Sequence, residues 1–187
     1  MWKLIANLIF KVAGWKVEGD LPKDIDKAVM IAAPHTSNWD FVFARAAFFL
    51  MGVPVRFTIK KEWVEGPLGW LIKSLGAIAI DRSPKKAGEK RRSMVEAMTD
   101  LFAEREELVV MITPEGTRSY APRWKKGFYY VALNAKVPIV LGYLDYGKKK
   151  AGVGPIIHPT GDYEKDLEEI KSFYRQVQGR HPDKGIR

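Results

Sequence analysis

Three short apolar runs constrain this chain most: KAVMIAAP (27–34), ELVVMIT (107–113) and VPIVLGYLDY (137–146). The alternation of polar and apolar residues that marks a half-exposed strand is weak in them, so they read as strands covered on both faces. VPVRFTIKK (53–61), AIAID (77–81) and GVGPIIHP (152–159) add three further strands. Helical segments separate them. WDFVFARAAFFLMG (39–52) is strongly apolar and stops at Gly52, and GPLGWLIKSLG (66–76) places Pro67 in its first turn. KKAGEKRRSMVEAMTDLFAE (85–104), KKGFYYVALNAK (125–136) and YEKDLEEIKSFYRQVQ (163–178) complete the helices. Strands alternating with helices predict an α/β fold: a single-domain sandwich with a mostly parallel central sheet flanked by helices. In such sheets chemistry sits in the loops beyond the carboxyl ends of the strands.

The first residues, MWKLIANLIFKVAGW, add an N-terminal amphipathic helix. Trp2, Leu4, Ile5, Leu8, Ile9 and Val12 recur at helical spacing, with Lys3, Asn7 and Lys11 on the other side. Such a helix either packs on the domain or lies in a membrane surface with tryptophan at the interface. No linker interrupts the rest of the chain, so the expected division is a membrane-surface helix over 1–15 and one domain over 16–187. The net charge of +9 favours polyanions: nucleic acid, an anionic membrane or phosphorylated substrates. The chain has no cysteine, which excludes disulfides and a thiol nucleophile and fits a reducing compartment. His158 and His181 lack ligand spacing, so no metal site is expected. No phosphate-binding Walker loop or dinucleotide fingerprint is present. Basic and aromatic residues mix in RWKKGFYY (123–130), which suits a membrane rim, and no nucleic-acid-reading motif surrounds them.

APHTSNWD (33–40) follows the first buried strand and opens the apolar helix. On a continuous helix, His35 and Asp40 would point about 140° apart and could not meet. Thr36, Ser37 and Asn38 are good N-caps, which leaves His35 in the loop and Asp40 in the first helical turn. The carboxylate can then fold back, fix the imidazole tautomer and leave the other ring nitrogen as a base. Ser37 and Asp40 also form a capping-box pattern, which would make His35 an ordinary loop residue. These residues alone leave both readings open.

Three more stretches bear on the choice: GAIAIDRS (76–83), ITPEGTRS (112–119) and VPIVLG (137–142). In this order and spacing, the four resemble the sequence blocks of the glycerolipid acyltransferase family, which includes 1-acylglycerol-3-phosphate acyltransferases. The resemblance runs from about Ala32 to Tyr146, and PEGTRS is its most specific part. The sequence departs from the family pattern at Pro34, Ala79, Thr113 and Leu141, none of which replaces a charged group.

The resemblance implies a glycerolipid O-acyltransferase domain over 16–187, moving a fatty acyl group from a thioester, acyl-CoA or acyl carrier protein, to a lysophospholipid hydroxyl. His35 and Asp40 become the catalytic pair. Direct attack suits a chain with neither cysteine nor a Gly-x-Ser-x-Gly elbow. Arg82, Glu115, Gly116, Thr117 and Arg118 become binding residues for the acceptor phosphate. Arginine forks match phosphate oxygens, whereas Glu115 would hold an arginine or a glycerol hydroxyl. Val137 and Pro138 would shape the strand or the acyl site, and amides near Thr36 or Gly116 would steady the oxyanion. No cofactor is called for beyond the donor substrate. The implied partners are lipid substrates, a membrane surface and acyl carrier protein, without nucleic acid. The implied place is the cytoplasmic face of a membrane, as a peripheral enzyme. Acylation of another lysolipid or an amino-lipid, and a catalytically silent lipid-binding protein, are the alternatives.

Overall fold

A computed structural model of the protein describes residues 2–59, 61–80 and 92–187. Its strands are β1 (Lys16–Glu18), β2 (Lys27–Ala32), β3 (Val55–Ile59), β4 (Ala77–Ala79), β5 (Leu108–Ile112), β6 (Ile139–Asp145) and β7 (Lys150–Ile157). Its helices are α1 (Trp2–Ala13), α2 (Trp39–Met51), α3 (Lys61–Glu65), α4 (Gly69–Ser74), α5 (Met94–Ala103), α6 (Gly127–Ala135) and α7 (Tyr163–Tyr174). The strands make one sheet in the order β1-β7-β6-β2-β5-β3-β4, parallel apart from the β6–β7 hairpin.

The central strands explain their own sequences. In β2, Val29 and Ile31 face a core built with Phe102, Phe128 and Tyr174 from α5, α6 and α7. Ala28 and Met30 face the opposite core, with Phe10 of α1 and Phe48 of α2. All four strand residues are fully buried, so none of these four positions favours a polar side chain. Burying one such aliphatic side chain contributes about 1.5–3 kcal/mol.

Some boundaries differ from expectation. β1 has no counterpart among the expected strands: it has three residues, two of them charged, and gains its place by pairing with β7. The strand expected over 53–61 ends at Ile59, and a short helix, α3, comes next. The helix expected over 85–104 is described from Met94, where Ser93 and Glu96 form a reciprocal capping box; residues 85–91 lie outside the described residues. Pro67 precedes α4 instead of sitting in its first turn. Gly52 ends α2 in the left-handed conformation, φ 75°, as its position suggested.

α1 packs on the domain through one face and leaves apolar residues exposed on the other. Ala6 and Phe10 are buried, and Trp2 stacks on Phe49 of α2 with ring centroids 5.8 Å apart. Trp2 therefore packs inward. Leu4, Leu8 and Val12 remain 75%, 63% and 79% exposed and form an unpartnered apolar stripe. Among the described residues, no helix is long and apolar enough to cross a membrane.

Candidate active site

The sheet's register creates the site. Ile31 of β2 pairs with Ile112 of β5, and Ala32 pairs with Gly142 of β6. The loops after β2 and β5 must therefore emerge side by side, with the end of β6 on the other flank. The first loop carries His35 and the second carries Glu115.

His35 Nδ1 lies 3.0 Å from Asp40 Oδ2. A carboxylate only accepts, so Nδ1 bears the proton and Nε2 keeps its lone pair. The same Oδ2 accepts the backbone N–H groups of Thr36 at 2.8 Å and Ser37 at 2.9 Å. Oδ1 accepts the Tyr146 hydroxyl at 2.7 Å. Burial opposes the negative charge on Asp40, but His35, Tyr146 and the two amides outweigh it and hold the carboxyl below its usual range. Asp40 is thus ionised at neutral pH inside a buried pocket.

Glu115 is buried, and its Oε1 accepts the backbone N–H of His35 at 3.0 Å. It braces the histidine loop, where the sequence suggested a contact to arginine or to substrate. Burial pushes its carboxyl up to about 7, and the His35 N–H only partly offsets this. Gly116 comes next with φ 64°, in the region that favours glycine. The Lys125 side chain crosses directly over it; an added Cβ would stand 2.5 Å from Lys125 Nζ. Lys125 thereby joins the site without having been singled out in the sequence.

Two spaces meet here. A cavity of about 250 Å³ runs from His35 between α2 and the sheet, lined by Phe41, Ala44, Ala47, Phe48 and Met51. An open polar cleft is lined by His35, Thr113, Gly116, Thr117, Arg118 and Ser119. His35, Thr113 and Arg118 border both. Small side chains make the apolar space possible: α2 presents alanine where a larger residue would fill it.

The structure thus brings together His35, Asp40, Glu115, Gly116, Thr117 and Arg118. Arg82 lies outside the described residues. Val137 and Pro138 do not join the site. They precede β6, so they lie at the opposite end of the sheet, where the Pro138 carbonyl accepts the Val29 N–H and both line a separate cleft with Asp26 and His158. Val137 stands five positions before Gly142, roughly 16 Å of strand. The suggested oxyanion amides are also engaged elsewhere: Thr36 N–H with Asp40, and Gly116 N–H with the Thr113 carbonyl at 3.2 Å. Among the described residues, no three carboxylate or histidine side chains gather as a metal site.

Tyr146, Tyr174 and the tail beyond it are additions to the site. Tyr146 ends the run that predicted β6, so its place beside β2 was the available signal. Tyr174 Oη donates to the carbonyls of Ile31 and Gly142, both at 3.0 Å, tying β2 to β6 beneath the histidine loop.

Residues 15–141 match the family model described as Acyltransferase, a span that includes the His35–Asp40 pair and the Glu115–Arg118 turn. The chain belongs to the acyltransferase family. Among its curated relatives, the 1-acyl-sn-glycerol-3-phosphate acyltransferase of Pseudomonas aeruginosa is 26% identical over 90% of this chain and 66% of its own length. That of Saccharomyces cerevisiae is 32% identical over 74% of this chain and 43% of its own. This acyltransferase-family chain therefore spans less than two thirds of those relatives. The crystal structure of the 1-acyl-sn-glycerophosphate acyltransferase from Thermotoga maritima shares the fold, with a TM-score of 0.59 at 17% identity over 94% of this chain and 76% of that one.

Proposed function

We propose that this protein transfers a fatty acyl group from an acyl thioester, acyl-CoA or acyl carrier protein, to the hydroxyl of 1-acylglycerol-3-phosphate, giving phosphatidic acid. The observation that carries the reading is the position of His35 on the border between a polar cleft with Arg118 and an apolar cavity. An amphiphilic acceptor and a long-chain donor need such a border: charge on one side, hydrocarbon on the other, and a base between. The curated relatives, named for the same acceptor, support it.

In this reading His35 Nε2 takes the acceptor hydroxyl proton as the oxygen attacks the thioester carbonyl carbon. The tetrahedral intermediate collapses, the carbon–sulfur bond breaks, and the imidazolium returns the proton to the departing thiolate. Asp40 stabilises the imidazolium and fixes its orientation. General-base catalysis of this kind contributes roughly 10²–10⁴-fold. Arg118 takes phosphate oxygens, with Thr117 in the same cleft and the Lys125 side chain over neighbouring Gly116. The acyl chain lies along Phe41, Ala44, Ala47 and Phe48. The stripe of Leu4, Leu8 and Val12 holds the enzyme on the bilayer where its substrates reside.

The test is release of free thiol from acyl-CoA with two acceptors, 1-acylglycerol-3-phosphate and the phosphate-free monoacylglycerol. Wild type should prefer the phosphate acceptor, and Arg118→Ala should raise its KM and erase most of the preference. Equal use of both acceptors by wild type would remove the phosphate from the assignment.

A further inference from the structure

Tyr146 lies beyond the residues that match the family model, and its contacts converge on the catalytic carboxylate. Its hydroxyl donates to Asp40 Oδ1 at 2.7 Å, the oxygen that His35 does not use. Its ring is fixed edge-on to Trp15, with centroids 4.9 Å apart, and to Phe43, 6.0 Å apart. Its backbone N–H donates to the Gln178 carbonyl at 2.9 Å. The next tail residues continue the clamp. Gly179 packs so closely on Thr36 and Pro34 that an added Cβ would meet them at 2.9–3.1 Å, and His181 N–H donates to Thr36 Oγ1 at 3.2 Å.

We infer that Tyr146 is a positioning residue of the reaction, locking Asp40 so that His35 is held in one tautomer and one orientation. The C-terminal segment around 178–181 is the support that holds Tyr146 and the histidine loop together. The chemistry rests on the carboxylate's geometry. Oδ2 is fixed by His35 and two amides, yet rotation about the carboxyl bond is opposed at the far oxygen by the tyrosine hydroxyl. That hydroxyl also disperses the negative charge. Without it, Asp40 attracts the imidazolium more strongly. The other charged groups facing this cluster are Glu115, which braces the His35 backbone, Arg118 across the cleft, and Arg180, whose guanidinium lies 6.0 Å from the Tyr146 ring and 5.6 Å from that of Trp39. The Arg180 side chain also meets the Tyr146 hydroxyl, so replacing that hydroxyl releases this one cation contact and leaves Glu115 and Arg118 in place.

The inference rests on His35 acting as the base, so the experiment separates the two. Tyr146→Phe keeps the ring against Trp15 and Phe43 and removes the one hydroxyl. Its thiol release is compared with wild type and His35→Ala across pH, with KM measured for donor and acceptor and Tm measured alongside. The expected result is kcat lower by roughly 10–100-fold, as for other groups that orient a catalytic ligand. Both KM values should hold, and the acid limb of kcat/KM should move to higher pH. Wild-type kcat and pH profile in Tyr146→Phe, beside an inactive His35→Ala, would overturn the role of Tyr146 alone. Lower activity with an unmoved acid limb would assign Tyr146 to packing and overturn it equally. An active His35→Ala would instead remove the base on which the inference stands.

Discussion

Asp40 combines two tasks that the sequence offered as alternatives. It accepts the Ser37 N–H, which is half of a capping box, and with the same oxygen holds the His35 ring. The reciprocal half is missing, because the Ser37 hydroxyl accepts from Trp39 instead. Glu115 also departed from expectation, and its burial has a measurable consequence. Its carboxyl moves from an ordinary 4.5 when unfolded to about 7 when folded. Below pH 4.5 both states carry the proton and the group is neutral to stability. Between those values the folded state binds more protons, so stability falls as pH rises, by up to about 3 kcal/mol above pH 7. Glu115→Gln keeps an acceptor for the His35 N–H and removes the titration. Chemical denaturation at pH 4.5, 6 and 8 should show the variant gaining on wild type as pH rises. Parallel curves would mean that Glu115 is not a buried titrating acid.

At the scale of elements, α1 and α2 carry separable properties. Leu8 and Val12 are mostly exposed, so Leu8→Glu with Val12→Glu should leave stability within about 0.5 kcal/mol per site. Binding to vesicles containing anionic lipid should drop at least ~10-fold, equivalent to about 1.4 kcal/mol. Unchanged sedimentation with vesicles would assign the stripe another partner. On the inner side of α2, Ala47 is buried beside the apolar cavity. Ala47→Leu should reduce kcat/KM for long acyl donors by ~10-fold while sparing short ones. The same loss at every chain length would take the cavity out of the acyl site.

For the whole molecule, legibility tracked the range of the physical signal. β2, β5 and β6 were readable because burial on both faces leaves unbroken apolar runs, and Gly52 because only its backbone freedom suits that helix end. β1 and α3 were not, since three and five mostly polar residues carry too little periodicity and owe their form to neighbours. Within the site, the spacing of His35 and Asp40 left two readings open, and only the resemblance of all four sequence blocks chose the paired one. The Tyr146–Asp40 contact joins residues 106 positions apart, and Tyr174 reaches Ile31 across 143; neither spacing is a pattern in sequence. Val137 and Pro138 were misplaced for a directional reason. In parallel strands only the carboxyl ends reach the site, and these two residues stand at the entrance of β6.

The central claim is that His35 activates an acceptor hydroxyl for direct acyl transfer. It is tested most directly by incubating wild type and His35→Ala with acyl-CoA and 1-acylglycerol-3-phosphate and identifying the lipid product by mass spectrometry. Wild type should form phosphatidic acid, while His35→Ala should lose at least ~10²-fold in rate yet keep its Tm and its affinity for the acceptor. Phosphatidic acid formed by the folded variant at the wild-type rate would contradict the account.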